Sequence, residues 1–305
     1  MSLRLGRLVG RAGKTLRIAS LIRDARQLFF QDEYVRLKSA QVSQVMLSVL
    51  YKDLLSRRAS LPSFEDIEFR AFSQNGEDGI LLYIFSLIGT TNKKCVEICG
   101  ADGLECNTAN LIINHGWRGL IFDGNKRLIE KGQRFYARCS DICTWPPKLV
   151  HAWITADNVN SLIEEHGFVG DIDLLSLDMD GVDYWVWKAI DCINPRVVVL
   201  EYNNLLGPDV SLTVPYKLEF RSAAEDGHVN YYGASLPAFV NLAKQKGYRL
   251  VGCERYGFNA FFVRSGIGED VLPEVAVSTC FEHPYTQHAM EVRRLKIAHR
   301  EWVEV

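Results

Sequence analysis

From about residue 64 onward, short apolar runs alternate with helix-like stretches, and this alternation fixes the fold class before any motif is read. The apolar runs are Cys95–Cys99, Leu120–Phe122, Ala152–Ile154, Leu174–Leu177, Val197–Leu200, Arg249–Cys253 and Ala260–Val263. Between them lie the helix-like stretches Ala109–His115, Val159–His166, Val182–Ile190 and Leu236–Lys246. A strand that is apolar at nearly every position has no solvent face, so helices must cover both sides of its sheet. Strands separated by helices are joined by crossovers and run parallel. The pattern therefore predicts an α/β protein with a Rossmann-like, doubly wound sheet. No internal repeat or low-complexity tract interrupts it.

Composition narrows the class. With 305 residues, 48% of them hydrophobic and 24% charged, the chain has material for one large core or two modest ones. A net charge of −2 argues against a nucleic-acid binder, which needs a basic surplus to neutralise phosphates. The longest near-continuous apolar run, Gly79 to Gly89, is far short of the ~20 residues that span a bilayer. Eight cysteines contain no CxxC pair, and several sit inside apolar runs, where a free thiol behaves as a small hydrophobe. The first thirty residues form no unbroken apolar leader, so a reducing, cytoplasmic compartment is expected.

Three regions follow: a helical N-terminal extension over 1–63, the α/β domain over 64–265, and a tail over 266–305 with a charged helix near Glu291–Trp302. Residues 1–30 carry seven basic side chains against the single acid Asp24, a net of +6, with Leu5, Leu8, Val9, Leu16, Ile18, Leu21 and Ile22 in a loose helical stripe. A basic amphipathic helix suits an anionic membrane surface. The simpler expectation is that the stripe packs on the main domain or on a second subunit, giving a homo-oligomer. Residues 31–60 continue as helix, and Pro62 closes the segment.

Val96-Glu-Ile-Cys-Gly-Ala-Asp-Gly103 reads as a strand, a turn of small residues, and then a helix from about Asn107. Small residues let backbone approach a ligand, and a helix N-terminus offers free N–H groups. A second strand, Gly119-Leu-Ile-Phe-Asp123, ends in an acid twenty residues after Gly103. At that spacing a carboxylate holds a ribose diol in the first βαβ unit, which points to an adenosine-type cofactor.

Phe72-Ser-Gln-Asn-Gly-Glu-Asp-Gly79, Glu97-Ile-Cys-Gly-Ala-Asp-Gly103, Asn107-Thr108, Gly116-Trp-Arg-Gly119 and Leu177-Asp-Met-Asp-Gly181 resemble the FkbM-like family of S-adenosylmethionine-dependent methyltransferases. The resemblance runs from about Phe72 to Val263. It implies a class I methyltransferase fold, a seven-stranded sheet whose last strand is antiparallel. It also implies a cofactor loop of Glu97, Gly100, Ala101 and Gly103, a ribose-binding Asp123, Asn107 beneath the methionine moiety, and Ser73 and Gln74 nearby. Cys99 stands where the family usually has glycine.

Two further strand ends carry polar clusters, Asp178-Met-Asp-Gly-Val-Asp183 and Glu201-Tyr-Asn-Asn204. Carboxyl ends of strands line the crevice of an open α/β sheet, so these groups are expected to converge. Asp178 and Asp180 are the candidate catalytic residues. Asp178, Glu201 and Asn203 form a candidate set of hard oxygen ligands for Mg²⁺, which would acidify a substrate hydroxyl. The same acids also suit helix caps, with Asp180 or Asp183 opening the next helix, or a metal-free general base. Residues 214–235 form a candidate substrate lid with Tyr216, His228, Tyr231 and Tyr232; Ser235 reads as the N-cap of the following helix.

The expected activity is methyl transfer from S-adenosylmethionine to a hydroxyl oxygen of a small molecule or glycan. Two alternatives stay open. An NAD-dependent oxidoreductase would use the same acid after the second strand, although Gly100-Ala-Asp-Gly103 lacks a full Gly-x-Gly-x-x-Gly. A non-catalytic binding or scaffold protein would keep the fold without turnover.

Overall fold

The computed structural model describes residues 38–139, 142, 144–225 and 228–305; the basic segment 1–30 and Cys143 lie outside the described residues. The chain divides into two compact units, Met1–Ser43 and Gln44–Val305, and the sheet belongs wholly to the second.

The strands of the main sheet are β1 (Lys94–Ile98), β2 (Arg118–Asp123), β3 (Lys148–His151), β4 (Gly170–Leu177), β5 (Ile193–Glu201), β6 (Tyr248–Cys253) and β7 (Asn259–Arg264). Their order is β3-β2-β1-β4-β5-β7-β6. β1 to β5 run parallel, and β7 is antiparallel to both β5 and β6. The sheet thus has seven strands with the last one reversed. The cause is local: β6 and β7 are joined by the tight turn Glu254–Phe258, and a short connection can only reverse direction. Within β1, β2, β4 and β5 the central residues have almost no accessible surface, as their largely apolar sequences require.

The helices are α1 (Gln41–Ser56), α2 (Glu77–Ile88), α3 (Ala109–His115), α4 (Lys126–Tyr136), α5 (Val159–Glu165), α6 (Asp183–Ala189), α7 (Leu236–Lys246) and α8 (Pro284–Ile297). α3 and α7 have the expected bounds. α7 starts where Ser235 Oγ accepts the Ala238 N–H, has proline in its first turn, and stops at Gly247 in a left-handed conformation. α4 buries only Ile129, Gly132, Phe135 and Tyr136, one face at helical spacing, and opens on Asn125, whose side chain caps Arg127 and Leu128.

Three expectations about elements need correction. The third strand is Lys148–His151, not Ala152–Ile154; only Ala152 N continues the pairing, to Asp123 O, before the chain leaves the sheet. The C-terminal helix starts at Pro284 rather than Glu291, because His283 Nδ1 caps Tyr285 N and proline at the first position is already set for a helix. It ends at Ile297, and Trp302 lies beyond it, its indole N–H on Ile297 O. No bridge is needed to hold this together: Cys95, Cys99, Cys106, Cys139, Cys192, Cys253 and Cys280 are all free.

Candidate active site

The strand order reverses between β1 and β4, and at that switch point the connections after the two strands leave the sheet in opposite directions. The chain after β1 turns sharply. Cys99 and Ala101 both take left-handed backbone conformations (φ 65° and 51°), which cost non-glycine residues about 1–2 kcal/mol each. Such strain persists only where the surroundings enforce it.

The surroundings do so through carboxylates. Glu97, fully buried at the end of β1, accepts the Ser176 hydroxyl on one oxygen (2.7 Å) and the Thr108 N–H on the other (2.9 Å). Asn107 Nδ2 donates to the same Ser176 hydroxyl at 3.1 Å. Burial raises the Glu97 pKa, and these hydrogen bonds oppose the rise. Glu97 and Asn107, expected at the cofactor, also tie the loop end to β4. Gly100 is required by the same packing: a Cβ there would lie 2.7 Å from both Glu97 Cγ and Ile121 Cγ2.

Asp123, at the end of β2, closes the other side. Its Oδ2 accepts the Ala101 N–H (2.9 Å) and its Oδ1 the Asn125 N–H (2.6 Å). Each oxygen so keeps acceptor capacity for a ribose hydroxyl. Next to it is a cleft of about 80 Å³ between Cys99, Gly124, the Ala152–Ile154 segment, the Met179–Val182 turn, and Leu218 and Phe220. Trp153 stands at its edge, its indole N–H on Leu218 O (2.8 Å) and the Arg221 guanidinium 5.3 Å above its ring. Sequence patterning missed this wall, because Ala152–Ile154 looks like a strand; an exposed tryptophan just past the β3 end was the available signal.

The Phe72–Gly79 motif is held together by its own acids. Asp78 Oδ2 accepts the N–H groups of Ala71, Phe72 and Ser73, and Ser73 is fully buried against it. Glu77 accepts the Asn75 N–H and the Asn259 side-chain amide (2.8 Å). Since Asn259 is the register partner of Glu201, the 71–76 turn is fastened at the carboxyl edge of β5, with Gln74 exposed on it.

Beyond β4 and β5 an acidic group assembles. Oxygens of Asp178, Asp180 and Glu201 lie within 4.8 Å of one another. Asp178 and Glu201 face each other closely enough that the charge of one disfavours the charge of the other. Burial first, and then the charges of Asp180 and Glu97, push Asp178 up to about 6. Glu201 is raised well above its ordinary value by burial and by Asp178 and Asp180, and its Oε2 is buried without a partner. Asp183 caps the turn between them, accepting the Met179 N–H (2.7 Å) and Gly181 N–H (3.0 Å); burial and Asp178 push it to about 7. That bonding holds Asp180 in a left-handed conformation (φ 50°). Neither Asp180 nor Asp183 caps α6 as expected: its N-cap is Val182, with no side-chain bond, and Asp183 ties the preceding turn instead, which leaves Asp180 to join the cluster. No ion pair reaches these four acids among the described residues.

Asn203 does not belong to the cluster. It is fully buried, its Nδ2 donates to Asn230 O and Tyr232 O (2.9 and 3.0 Å), and its Oδ1 accepts the Leu205 N–H. Both ends of its side chain are bonded to backbone, and the carboxylates that converge with Asp178 are those of Asp180 and Glu201. Asn203 instead holds the strand carrying Asn230, whose own amide is buried with neither atom partnered, and Tyr232, whose phenol feels the charges of Glu201 and Asp180. Of the other lid aromatics, Tyr216 is fixed to Asp157 and Ala156, and Tyr231 to Glu301 O. The His228 side chain lies outside the described residues.

No protein-family model matches this sequence, and a search of curated proteins finds no significant match. Among solved structures, the N-terminal domain of EvdMO1 with SAH bound is similar at 12% identity over 63% of this chain and 80% of that one, with a TM-score of 0.42. The methyltransferase domain of bacterial CtHen1 is 12% identical over 62% of this chain and 97% of its own, TM-score 0.40. The mitomycin 7-O-methyltransferase MmcR is 15% identical over 62% and 53%, TM-score 0.38. The fold assignment itself rests on the strand order and polarity given above.

Proposed function

We propose that the chain is an S-adenosylmethionine-dependent methyltransferase of the FkbM-like kind, acting on a hydroxyl oxygen of a small molecule or glycan. The observation that carries this reading is the pairing, at one switch point, of a nucleoside-type half-site with a proton-accepting half-site. Asp123 and the strained Cys99–Gly103 loop form the first; the converging Asp178 and Glu201 carboxylates form the second. A dinucleotide site needs only the first half and a longer glycine series.

The bound cofactor would supply the methyl group as an electrophile. Asp123 would hold the ribose, and Trp153 with Phe220 would flank the base. The 80 Å³ cleft is smaller than a whole nucleoside, so Leu218 and Phe220 must shift to admit it. Asp178, in its ionised state, would take the proton from the acceptor hydroxyl as the O–CH₃ bond forms. Positioning does most of the remaining catalysis. The unpartnered Glu201 Oε2 and the three converging carboxylates also fit a hard divalent cation such as Mg²⁺, which Asp178, Asp180 and Glu201 would hold and which would acidify that hydroxyl.

Calorimetric titration with S-adenosylmethionine, S-adenosylhomocysteine and NAD tests the assignment. Both sulfur ligands are expected to bind, and Asp123→Ala to weaken them by at least about tenfold, the loss of a charged hydrogen-bond pair. Binding of NAD alone would replace this reading with that of an oxidoreductase.

A further inference from the structure

Asn230 is only 4% exposed, yet its Oδ1 and its Nδ2 both lack a hydrogen-bond partner among the described residues. Buried polar atoms are nearly always paired, and an amide left open at both ends is costly to the free protein. Two more buried atoms in the same state are Glu201 Oε2 and Asn259 Oδ1. Those two residues are register partners in β5 and β7, so their side chains leave the sheet on one face.

Backbone bonds carry Asn230 to that place. Asn203, two residues after Glu201, donates through Nδ2 to Asn230 O (2.9 Å) and Tyr232 O (3.0 Å), and through its N–H to Ala234 O (2.8 Å). The Gly233 N–H donates to Gly181 O (2.8 Å), next in the chain to Asp180. Residues 230–234 thus bridge the strand ends that carry Asp180 and Glu201. One amide reaches the carbonyls of 230 and 232 together only where the chain between them is extended, and there the two side chains share a face. Tyr232 on that face is buried; burial, and then the charge of Glu201, raise its phenol. Tyr231 turns the other way, its hydroxyl on Glu301 O. The Asn230 amide therefore lies on the side of Asp178, Asp180 and Glu201.

The open atoms decide what is recognised. A free amide offers an acceptor at one end and donors at the other. A carboxylate or phosphate has no hydrogen for Oδ1 and would meet the converging acids; an ammonium cannot accept from Nδ2. Two neighbouring hydroxyls satisfy both ends, one donating to Oδ1 and the other accepting from Nδ2 while its own hydrogen turns to a carboxylate. We propose that Asn230 is the acceptor-recognition residue of this site and selects a neutral substrate with two adjacent hydroxyls, one of which is methylated. As the O–CH₃ bond forms, the S–CH₃ bond breaks, S-adenosylhomocysteine leaves, and the hydroxyl proton passes to Asp178. The proposal rests on the methyl-transfer reading and on the same shift of Leu218 and Phe220.

Two measurements on the full chain test it. Asn230→Leu replaces the amide by an apolar side chain of similar size and removes the open atoms, so its melting temperature should equal or exceed that of the wild type. A clearly lower melting temperature would mean that the amide is already satisfied in the free protein, and would overturn the proposal. Calorimetric titration of the S-adenosylhomocysteine complex then reads recognition directly. The probes are the methyl glycosides of glucose, galactose and mannose, which between them present cis and trans diols, and cyclohexanol, which has one hydroxyl. At least one glycoside is expected to bind and cyclohexanol is not. Asn230→Leu should weaken that glycoside by at least about tenfold and leave S-adenosylhomocysteine affinity unchanged. Failure of every glycoside, or equal binding by variant and wild type, would overturn the proposal while S-adenosylhomocysteine binding still supports the broader reading. A wild type that binds no S-adenosylhomocysteine would remove both.

Discussion

Asp178 is the residue on which the proposed chemistry turns, because its environment sets its charge near neutrality. Burial raises it to about 6, and Glu201 at its side is raised well above its ordinary value by the same burial and by the Asp178 charge. A general base must be ionised to act, so the rate of methyl transfer should rise with pH through about 6 and level off above it. Asp178→Asn should lower kcat by about 10²–10⁴ with little change in S-adenosylmethionine affinity, since Asp123 and the β1 loop remain. A pH–rate profile of wild type and variant checks both points; a wild-type rate that is flat between pH 5 and 8 would remove Asp178 from the role of base. Glu97 shows a second use of a strand-end carboxylate. Its two oxygens accept Ser176 and Thr108 and tie the loop after β1 to β4. Sequence spacing placed it at the strand end but had no means of showing these internal partners.

Among the elements, α7 shows how local signals propagate. Ser235 was legible as its cap, but the hydroxyl does more than cap: it also donates to Val210 O (2.6 Å) and accepts the Leu212 N–H (3.1 Å). Those bonds fasten the lid base to the helix, and Ser235 is fully buried. Ser235→Ala should therefore cost about 2 kcal/mol, more than a surface cap, because it strands two backbone groups as well as the helix end. Urea denaturation measures it, and a loss below about 0.5 kcal/mol would show that Ala238 alone depends on the hydroxyl. The sheet was readable for a related reason. β1, β2, β4 and β5 are buried on both faces, so their sequences are mostly apolar and announce themselves, and the polar exceptions Glu97, Asp173 and Ser176 are buried as well. β3 is an edge strand, Lys148 and His151 are exposed, and the pattern drifted to the more apolar Ala152–Ile154. The cleft wall at Trp153 was lost with it. The Asp178–Asp180–Glu201 convergence was half legible: strand ends predicted the place, but which of Asp180, Asp183 and Asn203 turn away depends on backbone N–H groups that no side-chain pattern records.

At the scale of the whole molecule, the buried acids make stability depend on pH in an unusual direction. Asp178 is raised to about 6, and Asp183 and Glu254 to about 7, each mainly by burial. In the unfolded chain all three ionise near pH 4. Between about pH 4 and 7 the folded state thus binds more protons than the unfolded state, and stability falls as pH rises. The contribution is fully present below about pH 4 and lost once pH passes about 7. Most proteins dominated by paired carboxylates show the reverse in acid. Urea unfolding of metal-free protein should accordingly give a stability at least about 2 kcal/mol higher at pH 5 than at pH 7.5. A divalent cation would supply the missing positive charge, because Asp178, Asp180 and Glu201 could then ionise together. Millimolar Mg²⁺ should raise the melting temperature at pH 7.5 and have much less effect at pH 5, where protons compete for the same oxygens. At a hundredfold excess over Kd the gain is about 2.7 kcal/mol. Glu201→Gln should abolish the Mg²⁺ effect while leaving much of the pH slope, which also belongs to Asp183 and Glu254. A pH slope without a Mg²⁺ effect would mean that the acids serve proton transfer alone. A stability that instead rises from pH 5 to 7.5 would mean that their burial does not set their charge.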